Sequence, residues 1–170
     1  MAGKDTYPPE VRSRVMARVK GRDTGPELLL RRTIYAAGVR GWRCNRKDLP
    51  GKPDLAFGPA KVAVFVDGAF WHGHPSKYWP GRTSPYWDEK IARNQARDRR
   101  VDDELQEMGW SVCRLWDFEV ETAPEQAAER VMRLVATSRS RIVRPHHAVV
   151  SHQAGSKSVA QPSTRPMFRG

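Results

Sequence analysis

Two short apolar runs near the middle of the chain predict a β-hairpin. The first is Asp54-Leu55-Ala56-Phe57 and the second is Val62-Ala63-Val64-Phe65-Val66, with Gly58-Pro59 between them. The second run is apolar without a break and rich in β-branched residues, which favours a strand buried on both faces. It leads directly into Asp67-Gly68-Ala69-Phe70-Trp71-His72, so that an acid, two aromatic rings and an imidazole follow a buried strand.

Apolar residues at helical spacing flank this hairpin on both sides. Thr24-Gly25-Pro26-Glu27 has the pattern of a capping box, with Thr at the N-cap position and Glu at N3. Ser84-Pro85 is a second helix start, and the longest predicted helix follows it from Tyr86 to Met108. Asn94 and Asp98 fall on the apolar stripe of that helix, so the stripe is not purely core.

Shorter segments complete the pattern. Trp42-Arg43-Cys44 alternates as a short strand would, and Trp110 to Trp116 reads as another strand. Glu125 to Thr137 predicts a closing amphipathic helix.

Two terminal segments lack hydrophobic periodicity. We expect residues 1–10 to be disordered, and residues 139–170, which contain no acidic residue, to form a disordered basic tail. Residues 11–138 are long enough for one domain with its own core. They begin with a predicted basic helix, Val11 to Lys20, which is either a plain surface helix or one that lies on DNA with Met16 and Val19 as apolar probes.

The charge balance narrows the class of partner. The chain carries a net charge of +11 with a pI near 10.3, an excess that favours polyanionic partners, above all nucleic acid. No apolar run is long enough to cross a bilayer and no signal-peptide core is visible, so we expect a cytoplasmic protein without membrane partners. Cys44 and Cys113 belong to no metal-spaced pair, and we expect both to be reduced and buried.

Acidic residues at the ends of the hairpin strands indicate a metal site. Asp54 begins the first strand and Asp67 ends the second, so the hairpin brings both to one end of the sheet. Mg²⁺ prefers such oxygen ligands and activates water for phosphodiester hydrolysis. Pro53-Asp54, an apolar strand and then an acid resemble the core of PD-(D/E)xK nucleases, although Ala69 stands where that pattern has its lysine. His72 is the candidate general base or acid instead.

Each of these residues also has a purely structural explanation. Asp54 could close the turn before it, Asp67-Gly68 could be a turn, and Phe70 and Trp71 could be core anchors. Glu27 needs no function beyond capping its helix, although its carboxylate could also reach a metal site. Their concentration in one stretch of a strongly basic chain favours a catalytic site.

Several ordered motifs give the chain a family resemblance over about residues 11–118. They are Arg22-Asp23-Thr24 with Glu27, then Leu49 to Asp54, Phe65 to His72, and Tyr86 to Arg100. With these motifs in matching order and spacing, the chain resembles the very-short-patch repair (Vsr-type) DNA mismatch endonucleases.

The resemblance implies a restriction-endonuclease-like α/β fold, a central mixed β-sheet flanked by helices. It implies Mg²⁺-dependent nicking of double-stranded DNA on the 5′ side of the T in a T:G mismatch left by deamination of 5-methylcytosine. A monomer would suffice, because only one strand is cut. Downstream repair proteins are expected partners, and the enzyme would be nucleoid-associated when bound to DNA.

The resemblance also assigns roles to residues. Asp54 would bind the metal with the backbone carbonyl of Val66. Asp67 stands where some members carry a second histidine, and an acid there could bind the metal directly. His72 matches the catalytic histidine, and Glu27 matches the acidic helper on the N-terminal helix. The residues that would contact DNA are Phe70, Trp71, Trp87, Met16 and Val19.

One part of the family pattern is absent. Some members hold a structural zinc with three cysteines and a histidine, and the matching positions here are Ala69, His74, Ser76 and Phe118. A lone histidine cannot make a closed tetrahedral site. We therefore expect no zinc, and a catalytic loop held instead by packing of Tyr78, Trp79 and Phe118.

Two other functions are compatible with the sequence. The same fold could act on a different DNA target, as a restriction-like or structure-specific endonuclease. The charge could also serve a non-catalytic DNA-binding module, in which Asp54 and Asp67 only cap turns.

Overall fold

A computed structural model describes residues 21–143 as a mixed sheet with helices on both faces. The three strands, in the order β1-β2-β3, are β1 (Leu55–Phe57), β2 (Val62–Asp67) and β3 (Ser111–Trp116). β1 and β2 are antiparallel, whereas β2 and β3 are parallel. This α/β architecture is consistent with the restriction-endonuclease-like fold that the resemblance implies.

The predicted hairpin is confirmed. Leu55 pairs with Val64 across β1 and β2, and a 3-10 turn over Gly58–Ala60 joins the two strands. Every residue of β2 except Val66 is buried, because successive side chains of the central strand enter cores on opposite faces of the sheet.

The two cores explain why β2 is apolar throughout. One lies between the sheet and the helices α1 (Gly25–Ala36), α3 (Asp117–Thr122) and α4 (Pro124–Val143). It contains Leu30, Ile34, Leu55, Val64, Val120 and Val131. The other lies between the sheet and the long helix α2 (Pro85–Glu107), and it contains Ala63, Phe65, Val101 and Leu105.

The long helices begin where their capping sequences place them, after Thr24 for α1 and after Ser84 for α2. α2 is also the crossover between the parallel strands β2 and β3, which no short turn could join. It therefore lies beside the loop that follows β2.

The segment before the hairpin differs from its prediction. Trp42-Arg43-Cys44 forms no strand but a single bridge, between Arg43 and Ala56, because the chain turns at Asn45 with φ of 50°. Cys44 is consequently exposed rather than buried, whereas Cys113 on β3 is buried as expected, and both are free thiols.

The C-terminal helices also differ from prediction. α4 extends over Pro124–Val143, so residues 139–143 belong to this helix and not to the predicted tail. Polar residues are compatible with its exposed end, and the Ser140 hydroxyl donates to the carbonyl of Ala136. The short helix α3 has no counterpart in the prediction, since it is too short to show a periodic pattern.

Residues 1–20 and 144–170 lie outside the described part of the chain. The disorder of residues 1–10, the N-terminal helix with Met16 and Val19, and the tail beyond residue 143 therefore stay predictions. Between residues 21 and 143, no helix is long and apolar enough to span a membrane.

Gly51 is required at the turn that leads into β1. Its φ is +68°, and a Cβ there would lie 2.6 Å from Val101 Cγ1 and 3.1 Å from Phe65 Cε1. We expect Gly51→Ala to lower the free energy of unfolding by about 2–5 kcal/mol, the sum of left-handed strain and overpacking. Gly38→Ala is the matched control, because Gly38 has φ of +82° with nothing within 4 Å of its Cβ position.

The control substitution should cost only the conformational part, about 1–2 kcal/mol. Urea unfolding of both variants measures the difference. Equal losses would contradict the close packing of this turn against β2 and α2.

Candidate active site

The site is built on the end of β2 that extends past β1. Continuing the register beyond Leu55 and Val64 would place Pro53 opposite Val66, but proline has no N–H to donate, and its carbonyl accepts from the Asn45 amide. The Val66 amide donates instead to Asp54 Oδ2, at 2.8 Å. Because the N–H and C=O of one residue in a strand point to the same edge, the Val66 carbonyl is directed to the side where Asp54 lies.

Asp54 is a carboxylate in an environment that disfavours its charge. Burial is the main cause, and it raises the pKa of Asp54 from an ordinary value near 3.8 to about 7. The hydrogen bond from Val66 opposes this rise, and the negative charge of Glu27 adds to it. A cation beside Asp54 would therefore be stabilised by a carboxylate that lacks full solvation.

Glu27 is buried and serves the start of α1. It accepts hydrogen bonds from the Asp23 amide at 2.8 Å, the Thr24 hydroxyl at 2.9 Å and Arg31 Nη2 at 3.0 Å. The capping box is thus modified, since Thr24 donates to Glu27 and makes no side-chain bond to the helix amides. Glu27 also lines the cleft that contains Asp54, so the structure is compatible with both of its predicted roles.

Asp67 is brought to the same end of the sheet as predicted, but its carboxylate is already paired. Arg114 Nη1 lies 3.0 Å from Oδ1 and 2.8 Å from Oδ2 of Asp67. Burial raises the pKa of Asp67, and the charges of His72 and Arg114 oppose that rise. Both oxygens therefore already have a cationic partner within the protein, which distinguishes Asp67 from Asp54.

His72 is oriented by acidic side chains. Its Nδ1 lies 2.5 Å from Asp98 Oδ2 and 3.5 Å from Asp67 Oδ1. Burial opposes the charge of Asp98, but the hydrogen bond from His72, together with the positive charges of His72, Arg114 and Arg97, outweighs it and lowers the pKa of Asp98. An ionised Asp98 accepts from Nδ1–H, which leaves the lone pair of Nε2 available in the neutral ring.

Polar residues of α2 hold the loop that carries His72. Asn94 Nδ2 donates to the carbonyl of Trp71 at 2.8 Å, and Gln95 Nε2 donates to the carbonyl of His72 at 3.3 Å. These bonds explain why Asn94 and Asp98 interrupt the apolar stripe of α2, since this part of the helix faces a polar loop and not the core.

The three aromatic residues assigned to DNA lie together beside the cleft. Ring centroids are 5.1 Å apart for Phe70 and Trp71, 5.8 Å for Phe70 and Trp87, and 5.4 Å for Trp71 and Trp87. Lys90 Nζ lies 5.4 Å from the Trp71 ring and 5.5 Å from the Trp87 ring. We call Phe70, Trp71 and Trp87 the aromatic cluster. It combines apolar surface with a cation, as nucleic-acid surfaces do.

His74 is packed among non-ligand side chains. Its ring contacts Trp116 and Phe118 edge-on, with centroids 4.8 and 5.0 Å away, and its Nδ1 lies 2.8 Å from the Ser76 hydroxyl. In the part of the chain that the structure describes, no cluster of three or more His, Cys, Asp or Glu side chains could hold a metal.

The packing predicted for this loop is only partly right. Phe118 contacts His74, and the buried Tyr78 donates its hydroxyl to Asp88 at 2.8 Å. Trp79 is 50% exposed in a turn with Arg82 near its ring, so it is not a buried anchor of the loop.

One cleft of about 710 Å³ contains most of these groups. Its walls include Glu27, Asp54, Val66, Asp67, Trp71 and His72. Sequence reasoning missed Asp98, Arg114 and Asp117 as parts of the site. Asp98 was signalled by its place on an apolar stripe and Arg114 by its place inside an apolar strand, whereas Asp117, which accepts from the Ala69 amide at 3.1 Å, gave no signal.

Comparison with known proteins identifies the family of this chain. The family model described as DNA mismatch endonuclease Vsr matches residues 4–78. Type II nicking enzyme V.HpaIIP of Haemophilus parainfluenzae is 37% identical over 135 residues, which is 77% of this chain and 95% of that protein. Type II nicking enzyme V.NmeDIP of Neisseria meningitidis serogroup C is 40% identical over 134 residues, 77% of this chain and 90% of that protein.

A third relative carries the family's own name. DNA mismatch endonuclease Vsr of Escherichia coli (strain K12) is 34% identical over 116 residues, 66% of this chain and 73% of that protein. With a mixed sheet, a carboxylate at its edge and an oriented histidine in the same cleft, the chain belongs to the Vsr family and is a DNA endonuclease.

Proposed function

We propose that this endonuclease nicks one strand of a T:G-mismatched duplex on the 5′ side of the T, by Mg²⁺-dependent hydrolysis. The observation that carries the proposal is that Asp54 and Val66 line one cleft with His72, whose Nδ1 is hydrogen-bonded to Asp98 outside that cleft. A carboxylate that can hold a hard cation and an imidazole in a fixed tautomer are the groups that phosphodiester hydrolysis requires.

Asp54 and the Val66 carbonyl are the proposed metal ligands. Their oxygens suit Mg²⁺, which binds through one or two carboxylates, with waters and phosphate oxygens in the remaining positions. The raised pKa of Asp54 supports this assignment, because an ionised carboxylate there gains from a cation. When bound, the ion would polarise the scissile phosphate and lower the pKa of a bound water.

His72 is the proposed proton carrier. Its Nε2 accepts a proton from the attacking water, while Asp98 keeps the ring in the required tautomer and stabilises the imidazolium that forms. Glu27 acts at one remove, through its negative charge beside Asp54 and by fixing the start of α1 on the wall of the cleft.

The aromatic cluster is proposed to recognise the mismatch. Apolar wedges unstack a base step at least cost where pairing is already poor, so a cluster of half-buried rings beside the catalytic loop favours mismatched DNA. Nicking one strand requires a single site, so we propose that a monomer acts, with repair proteins downstream. The packing around His74 supports a loop that needs no zinc.

A second target class is favoured by the names of two relatives. V.HpaIIP and V.NmeDIP are called Type II nicking enzymes, so a nicking endonuclease with another DNA target is the alternative. The fold and the chemistry would be the same, and only the DNA that enters the cleft would differ.

A nicking assay tests the proposal. We expect the protein to cut a labelled duplex with one T:G mismatch, placed in several methylation-site contexts, only on the T strand and only with Mg²⁺. The matched T:A duplex should stay intact. Cutting of matched DNA or of both strands would support the alternative target, and metal-independent binding without any cutting would indicate a binding module.

Loss of either key side chain should abolish nicking. Asp54→Ala removes the proposed metal ligand and His72→Ala removes the proton carrier, while DNA binding should be largely retained in both variants. Asp48→Asn is the matched control, because Asp48 is an exposed carboxylate paired with Arg46. Near wild-type nicking by either alanine variant would show that the site is assigned to the wrong residues.

The burial of Asp54 predicts that the metal-free protein loses folding stability as the pH rises. A carboxyl whose pKa is raised on folding stabilises the fold fully below its unfolded pKa and loses that contribution as the pH rises through about 7. Asp54→Asn, which keeps the acceptor for the Val66 amide, should therefore be more stable than wild type at pH 8.5 in EDTA. The gain should be at most about 4 kcal/mol and should shrink towards pH 4.

Thermal unfolding from pH 4 to 8.5 measures this difference, with Asp48→Asn as the control that follows wild type. Added Mg²⁺ should raise the Tm of wild type at pH 8 but not that of Asp54→Asn. A pH-independent difference between the two proteins would contradict the half-buried, charge-disfavouring environment of Asp54.

Truncation in the aromatic cluster should reduce mismatch recognition. Phe70→Ala or Trp71→Ala should weaken binding to T:G duplex about 10-fold, given about 1–3 kcal/mol for each base stacked on a ring. Fluorescence of 2-aminopurine beside the mismatch should report less unstacking. Trp79→Ala, at an exposed ring in the next loop, should behave as wild type, and an equal loss there would refute a specific role for the cluster.

A further inference from the structure

Strand β3 carries a charged residue between two buried apolar ones. Arg114 lies between Cys113 and Leu115, and it is paired with Phe65 across the parallel strands. Its guanidinium carbon lies 4.5 Å from the centre of the Phe65 ring. The side chain therefore extends over the face of the sheet that α2 covers, beside the catalytic cleft.

The guanidinium connects the end of β2 to two successive turns of α2. Nη1 binds both oxygens of Asp67, at 3.0 and 2.8 Å, and Nε binds both oxygens of Asp102, at 3.0 and 3.1 Å. Nη2 lies 3.4 Å from the backbone carbonyl of Asp98. Only the rigid planar fork of arginine can make these contacts together, since a lysine offers a single ammonium group.

His72 contacts two of the three acids in this arrangement. Asp98 Oδ2 is 2.5 Å and Asp67 Oδ1 is 3.5 Å from its Nδ1. Asp98 is itself 3.8 Å from Arg114 Nη2 through its other oxygen. The imidazole is therefore held by carboxylates that Arg114 in turn holds.

The negative charges around Arg114 explain why a cationic side chain is needed at this position. Three acids, Asp67, Asp98 and Asp102, crowd around one guanidinium, and without it they would repel one another. Burial disfavours the charge of Arg114, but the hydrogen bonds and charges of Asp102 and Asp67 outweigh it and raise the pKa of Arg114. Arg114 is therefore a permanent cation that keeps the acids close to His72.

We propose that Arg114 and Asp67 are positioning residues for His72, and that Asp67 serves in this way and not as a metal ligand. The inference rests on the proposed function, because it assigns the catalytic proton transfer to His72. It separates the two acids at the end of the hairpin: Asp54 faces the Val66 edge and the metal, and Asp67 faces Arg114 and the imidazole.

The two possible roles of Asp67 differ in what they do to the Mg²⁺ dependence. A positioning residue sets the rate of the chemical step, and loss of such outer partners costs about 10–100-fold. A metal ligand sets the Mg²⁺ concentration that gives half-maximal rate. Single-turnover nicking of the T:G duplex, titrated with Mg²⁺, measures both quantities for each variant.

We expect Asp67→Asn and Arg114→Lys to lower the single-turnover rate about 10-fold or more. The Mg²⁺ midpoint and the Kd for DNA should stay within about twofold of wild type. Glu104→Gln is the matched control, because Glu104 is an exposed acid on α2 that pairs only with the exposed Arg100 among its described ion pairs. A tenfold rise of the midpoint in Asp67→Asn, or an unchanged rate in both variants, would overturn the proposal.

A second readout is independent of nicking. Long-range ¹H–¹⁵N spectra of the folded variants, checked by circular dichroism and Tm, report which ring nitrogen of His72 carries the proton. Wild type and Glu104→Gln should show Nδ1 protonated, while Asp67→Asn and Arg114→Lys should show tautomer mixing. Unchanged His72 spectra in both variants would overturn the positioning role. If wild type nicked no duplex, the proposed function would fail, and these spectra would still decide the role of Arg114.

Discussion

The site depends on an interruption in the backbone hydrogen bonding between strands β1 and β2. β2 continues past the start of β1. Pro53, which would face Val66, has no N–H for the Val66 carbonyl, and its own carbonyl accepts from the Asn45 amide. The Val66 amide donates instead to the Asp54 carboxylate, at 2.8 Å. This hydrogen bond holds an acid beside the edge of β2 that β1 does not cover. Burial of that acid raises its pKa to about 7, and a divalent cation is the partner that would offset this cost.

The acids on the other side of the β2 terminus are in a different environment from Asp54. There the acids already have a cationic partner within the protein, because Arg114 binds Asp67 and Asp102 and lies next to Asp98. His72 contacts this paired group and not Asp54, which makes no ion pair with the residues that the structure describes. One short strand end thus supports two environments, one suited to a metal and one suited to proton transfer, about a single cleft.

Local patterns in the sequence predicted the hairpin, both capped helices and the meeting of Asp54 with Asp67. These features depend on residues close in the chain, where period, turn chemistry and strand pairing are sufficient. The partner of Asp67 lies 47 positions away, and that of His72 lies 26 positions away, so no local pattern could reveal either pair. Only the crossover through α2 brings them together.

The sequence-based predictions that the structure contradicts were wrong for physical reasons. The exposure of Cys44 follows from a turn at Asn45 that propensity does not specify, and α4 continues to Val143 because polar residues fit an exposed helix face. The exposure of Trp79 shows that an aromatic ring in a loop is not necessarily an anchor, whereas His74 is enclosed by Trp116 and Phe118. The family resemblance supplied the roles that the local patterns alone left open.

The claim that Asp54 binds the metal and Asp67 does not is tested most directly by anomalous diffraction. The crystals would be grown with Mn²⁺ and a T:G-mismatched duplex. We expect a single strong peak next to the Asp54 carboxylate and the Val66 carbonyl, whose oxygens suit such a cation, with Asp67 still bound to Arg114. A metal bound by Asp67 with Arg114 displaced would contradict the claim.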